Sequence, residues 1–231
     1  MKVEIWSDIV CPFCYIGKRK FEMALEKFDA KDKVEIEWKS FQLDPEMDNS
    51  EGLDVHAYLG KRKGGTPADG KRMNDSMTAM AKEVGLHYDF DKTIINNTIH
   101  AHRLLHFAKE LKLQNKLKEV LFKAYYTEGK DTADFDTLVA LAAEVGIPEA
   151  ESRKVLEENL YEAEVRKDQA DAYQIGVQGV PYYVFNNKYG VSGAQSPETF
   201  AQVLDKVWEE EQPLSIIDTK DGFCDVNGNC N

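Results

Sequence analysis

Val3-Glu4-Ile5-Trp6-Ser7-Asp8-Ile9-Val10-Cys11-Pro12-Phe13-Cys14 decides how this chain is read. Residues 2–6 read as a strand that is apolar on both faces. The next apolar set, Phe21, Leu25 and Phe28, recurs at helical spacing, so a helix runs from the cysteines to about Phe28. A C-x-x-C between a strand and a helix sets its first sulfur at the helix N-terminus. Free backbone N–H groups and the positive dipole end there favour a thiolate. Such a site lowers a thiol pKa from about 8.5 to between about 3.5 and 7.5. Cys11 is therefore expected at an exposed mouth as the nucleophile, with Cys14 behind it to close a disulfide. Pro12 suits the first helical turn, where its missing N–H would be unpaired anyway. A structural disulfide and half of a zinc site are the other readings. Zinc takes about four ligands, and no second C-x-x-C or nearby Cys/His pair supplies them.

Working outward, Val34-Glu35-Ile36-Glu37-Trp38 alternates strictly and reads as a second strand. The crossover through the first helix predicts a parallel pair. Leu43-Asp44-Pro45 breaks the pattern. From about 46 to 175 the signal is helical. Thr66-Pro67 starts a helix that Gly85 stops. A long amphipathic helix is expected over 96–115 and another run over 116–127. Phe135 to Val145, Pro148 to Leu160 and Ala163 to Ile175 follow. Strands return as Pro181-Tyr182-Tyr183-Val184-Phe185 and Lys188-Tyr189-Gly190-Val191, joined by an Asn186-Asn187 turn. A last helix runs from Ser196-Pro197 to Glu211. The expected fold is α/β: residues 1–45 and 176–212 form the strand domain, 46–175 an inserted helical domain, and 213–231 a tail. Trp6, Trp38 and Trp208 are expected in the strand-domain core.

The 231 residues are 42% hydrophobic and 30% charged, with a net charge of −12. That composition fits a soluble globular protein and excludes a phosphate-backbone partner, which needs clustered Lys and Arg. No apolar run approaches the roughly 18 residues of a membrane span. The start Met1-Lys2-Val3-Glu4 has no apolar signal region. A cytoplasmic location is expected, where thiols stay reduced and a C-x-x-C is more often catalytic than structural.

Several other residues carry two readings each. Asp8 can relay the proton of Cys14 when a mixed disulfide resolves, or cap a turn. Lys18, Arg19 and Lys20 add positive potential or form a solvated helix face. His100, His102 and His106 raise a metal reading, but no acidic third ligand stands nearby. His102, Arg103 and His106 are instead candidates for lining the space above the cysteines.

The order βαβ, helical insertion, ββα, with Gly179-Val180-Pro181 before the third strand, resembles the thioredoxin-like fold. The insertion narrows the resemblance to the DsbA-like group. Ser7–Gly17, Asn97–Leu104, Gly176–Pro181 and Val191–Gln195 resemble its FrnE-type cytosolic branch. That superfamily includes 2-hydroxychromene-2-carboxylate isomerases and kappa-class glutathione transferases, which generally present Ser where this chain has Cys11. The resemblance implies a cis Val180-Pro181 bond packed on the C-x-x-C. It implies too that Pro12, Phe13 and the backbone of Val180 meet an extended substrate. Some members of the branch carry a second, C-terminal cysteine pair. Here Cys224 and Cys230 flank the turn dipeptide Asn227-Gly228. The pair is a relay dithiol or a frayed end. Oxidised, it is expected to pair internally, because Cys11–Cys14 and Cys224–Cys230 close the two shortest loops.

The function expected is a thiol–disulfide oxidoreductase or isomerase that reduces, forms or rearranges protein disulfides. Protein or peptide thiols and disulfides are the expected substrates, and glutathione or a thioredoxin-type reductant the redox partner. No metal, organic cofactor, nucleic acid or membrane is called for. The alternatives are a glutathione-dependent transferase or isomerase on the same fold, and a redox-regulated binding protein or holdase.

Overall fold

The first strand, β1 (Lys2–Ser7), and the second, β2 (Glu35–Ser40), pair in parallel with Ile5 opposite Trp38. The crossover between them is α1 (Pro12–Glu26). β3 (Tyr182–Phe185) returns antiparallel to β1, and β4 (Tyr189–Ser192) completes a sheet of order β2-β1-β3-β4. This is a computed structural model, and it describes residues 1–211.

Strand alternation splits the sheet into two dry faces. Val3, Ile5, Tyr183 and Phe185 point to one side, against Phe21 of α1 and Phe200 and Leu204 of α9 (Pro197–Glu211). Phe21 lies 5.4–6.2 Å from the rings of Tyr183, Phe185 and Phe200. Each such fully buried side chain contributes about 1.5–3 kcal/mol. Trp6 takes the other face with Phe41, Ala172 and Val177. Trp38 belongs to the first cluster, and Trp208 meets Phe28 edge-on at 6.0 Å.

Seven helices come between β2 and β3. α2 (Val55–Arg62) and α3 (Pro67–Glu83) form a tight hairpin. A Cβ on Gly70 would fall 2.0 Å from the His56 carbonyl oxygen, so the two backbones touch only because residue 70 is glycine. Thr66 and Asp69 form a capping box at the start of α3. α4 (Ile99–Glu110), α5 (Gln114–Lys123), α6 (Phe135–Glu144), α7 (Glu149–Glu157) and α8 (Glu162–Gln174) follow. No helix among the described residues is long and apolar enough to cross a membrane.

Two expectations need correction. The helix expected over 96–115 is α4 followed by a break. Lys112 adopts a left-handed φ of 59°, and the Leu113 N–H returns to the Ala108 carbonyl at 2.8 Å. The break uses a C-terminal cap without the usual glycine. The run expected over 116–127 is α5, which widens into a π turn at Ala124–Glu128 and puts Tyr125 and Tyr126 inward.

Candidate functional site

The site forms where β1 ends and α1 begins. Cys11 has extended backbone angles and is the N-cap of α1, with Pro12 at the first turn. The Cys14 N–H donates to the Cys11 carbonyl at 2.9 Å, and the Tyr88 hydroxyl to the Pro12 carbonyl at 2.8 Å. Across from this turn the Val180–Pro181 peptide bond is cis. The Cys11 thiol donates to the Val180 carbonyl at 3.3 Å. Gly17 lets α1 approach this loop: a Cβ there would meet the Tyr183 hydroxyl at 2.6 Å and Pro181 Cγ at 3.1 Å.

A cleft of about 740 Å³ opens beside Cys11. Cys11, Phe13 and Val180 form one wall and Leu59, Met73 and Met77 another. Pro12 and Asp8 also reach it. Phe13 stands 41% exposed at its rim. The lining is chiefly apolar, as in sites that take apolar side chains or small ligands.

The cysteines are both free thiols. Cys11 is only 3% exposed and Cys14 fully buried. Cys11 therefore faces the cleft from inside and does not stand at an open mouth, as the motif alone suggested. Its thiol lies well above the ordinary cysteine value. The adjacent Cys14 thiol is the largest cause; burial and the Asp8 charge act the same way, while the Cys14 backbone N–H pulls down. The helix terminus is thus one influence among several, and the others win at Cys11.

Asp8 is buried just past β1. Its Oδ1 meets His102 Nε2 at 3.2 Å, and its Oδ2 accepts the Leu43 N–H at 2.8 Å. Burial pushes its carboxyl up, but His102, the Leu43 N–H and Thr98 outweigh that and leave it below the usual value. Burial likewise holds His102 low, against the pull of Asp8. At neutral pH the pair is a carboxylate accepting from a neutral imidazole.

His102, Arg103 and His106 do not line the cleft. His102 turns to Asp8. Arg103 is buried and donates to the carbonyls of Leu160, Leu156 and Val155, tying α4 to the end of α7. His106 contacts Asp168 at 3.1 Å and Ser40 Oγ at 3.1 Å on the far side of β2. His100 meets Arg103 and the edge of Phe135. Lys18 and Arg19 are not a solvated face: both pair with Glu119 of α5, which also accepts from Tyr15 at 2.7 Å. Cys224 and Cys230 lie outside the described residues.

Three contributors escaped the sequence reading. Tyr88 and Tyr126 stack at 4.4 Å behind the turn, and Lys118 is buried over the rings of Phe122 and Trp38. Lys118 lies in the stripe of Leu117, Leu121 and Phe122, and that spacing is the signal that could have flagged it.

Residues 2–205 match the DsbA-like thioredoxin domain. An uncharacterized protein, YwbO, of Bacillus subtilis is 29% identical over 204 residues, covering 87% of this chain and 94% of its own. A probable DsbA oxidoreductase from Streptomyces coelicolor, SCO1869, is 38% identical and superposes with a TM-score of 0.86, covering 100% of this chain and 98% of that one. The cytosolic disulfide reductase DsbM from Pseudomonas aeruginosa, solved with GSH, shares the fold at 17% identity and a TM-score of 0.64, over 90% of this chain and 100% of that one. With a matching profile over nearly its whole described length, the chain belongs to the DsbA-like thioredoxin family.

Proposed function

We propose that this protein is a thiol–disulfide oxidoreductase in which Cys11 and Cys14 are the working couple. The observation that carries this reading is the position of Cys11. Its sulfur starts α1, faces an apolar cleft and lies 3.3 Å from the Val180 carbonyl, while Cys14 is shielded behind it. A thiolate at Cys11 attacks one sulfur of a substrate disulfide. A mixed disulfide forms, and the other substrate sulfur leaves and takes a proton. Cys14, on losing its proton, attacks Cys11. The Cys11–Cys14 bond forms, the mixed disulfide breaks, and the second substrate thiol is released. Two electrons pass from the dithiol to the substrate; reversal oxidises a substrate dithiol, and partial reversal rearranges disulfides.

Pro12, Phe13 and Val180 are the proposed substrate contacts. The exposed Phe13 ring and the methionines opposite suit an extended apolar peptide. Two molecules of glutathione, or a thioredoxin-type dithiol, would reduce the resulting disulfide, in keeping with the GSH in the DsbM structure. The reading needs no metal or organic cofactor and suits a reducing cytoplasm. Asp8 has a positioning role in it. A carboxyl held below its usual value is a weak base, so proton relay to Cys14 is better assigned elsewhere.

Cys14→Ser tests the assignment. It should accumulate mixed disulfides with reduced, unfolded substrate under oxidant, visible on non-reducing gels, while Cys11→Ser should form none. Equal trapping by Cys11→Ser would refute the roles.

A further inference from the structure

Two lysines are fully or nearly fully buried, and they are treated differently. Lys18 Nζ lies 2.5 Å from Glu22 and 2.6 Å from Glu119. Its charge is neutralised. Lys118 of α5 is 0% exposed, and among the described residues its Nζ has no hydrogen-bond acceptor. It sits over the rings of Phe122 at 4.8 Å and Trp38 at 5.4 Å. Phe122 stacks on Tyr15 at 4.8 Å, and Tyr15 is the residue after Cys14. One ring, Phe122, thus separates Lys118 from the aromatic side chain that follows Cys14, and Lys118 is not among the residues lining the cleft.

A buried ammonium without a carboxylate is costly. Burial pulls its pKa down from 10.5 to about 8, while Cys14, Asp8 and Cys11 hold it up. Lys18 from α1 opposes it, and His102 from α4 feels the same charge. Two of the three groups that support the ammonium are the redox sulfurs. In the disulfide neither sulfur carries a charge, so the support changes with the redox state.

We propose that Lys118 is a positioning residue for the Cys11–Cys14 couple, its buried amine holding the counter-charge of the thiolate that reduction creates. The proposal rests on the redox reading above. Reduction by two low-molecular-weight thiols breaks the Cys11–Cys14 bond and forms one external disulfide. Two protons arrive with the two electrons: one stays on sulfur between Cys11 and Cys14, and the other is held on the Lys118 amine. The product is a thiolate–ammonium pair. Stabilising the reduced form this way makes the couple more oxidising.

The test is equilibration of the full chain and of Lys118→Met in glutathione buffers, with the two thiols counted by mass after alkylation. Methionine keeps the length of the side chain and removes the charge. The constant for forming the Cys11–Cys14 disulfide should rise at least tenfold, a fall in potential of about 30 mV per tenfold. A constant within twofold of the parent would overturn the proposal while leaving the redox reading intact. A parent chain that fails to equilibrate at all would overturn both. Should Lys118→Met not fold, the parent alone decides by NMR titration of the Lys118 side chain: its pKa should be higher in the dithiol than in the disulfide, and equal values would refute the coupling.

Discussion

Asp8 and Asp168 are built alike and used differently. Each carboxylate is buried, each meets a histidine of α4 at 3.1–3.2 Å, and each accepts a backbone N–H at 2.8 Å. The histidines, His102 and His106, stand one turn apart. Asp168 also takes the Lys39 ammonium at 2.7 Å, and its backbone carbonyl accepts the Trp6 indole N–H. That network joins α8, α4 and β2, and its charges cancel. Asp8 has no lysine or arginine within ion-pair distance among the described residues. Its charge is felt at Cys11 and Lys118. A fully compensated buried carboxylate holds elements together; the charge of one left incompletely compensated reaches the thiol and the amine near it.

The sharpest break of this comparison is Asp168→Asn. It takes from Lys39 the nearest of three carboxylates, leaving Glu37 at 3.5 Å and Glu4 at 4.0 Å, and replaces the charged acceptor of His106 by an amide. Breaking a buried pair from one side costs about 3–5 kcal/mol, and the remaining carboxylates put the loss at the lower end. Denaturant unfolding should show this loss, with the alkylation rate of Cys11 unchanged. The variant should also change the acid limb. Burial raises the Asp168 carboxyl, but His106, Lys39 and the Ser40 N–H outweigh it and hold it low. Its stabilisation is therefore present above the unfolded carboxylate value and lost as pH falls through the lower folded value. Asp168→Asn should lack that part of the acid transition.

Asp8→Asn should have the smaller effect on stability, about 1–3 kcal/mol, since the amide oxygen still accepts one of the three bonds. Its effect on the thiols should be the larger. Removing a negative charge that raises Cys11 should speed alkylation of Cys11 severalfold at neutral pH. If Asp168→Asn and Asp8→Asn moved the Cys11 rate equally, the contrast between the two carboxylates would fail.

How legible these features are follows from how local their causes are. The C-x-x-C turn, the Thr66 cap and the Asn186-Asn187 turn, with φ of 49° and 54°, are set by neighbours in sequence. All three were readable. The break at Lys112 was not, because a left-handed lysine carries no sequence mark of the kind glycine gives. The histidines of α4 looked like cleft residues because their spacing shows only a shared face. Their partners come from distant elements: Asp8 directly follows β1, and Asp168 lies in the middle of α8. Arg103 likewise meets carbonyls that only tertiary packing brings to it. Cys11 is buried in one cluster with Ala81, Tyr88, Phe90, Tyr125 and Tyr126, which lie far off in the chain, so no pattern around the motif could show its burial.

The central claim is that Cys11 and Cys14 form one reversible couple. Its most direct test is to equilibrate the parent chain across glutathione ratios, quench with an alkylating agent, and count labels at the two positions by mass. The account predicts that both thiols are lost together in a single transition that depends on the square of the reduced glutathione concentration. Independent labelling of the two cysteines, or two free thiols at every ratio, would contradict it.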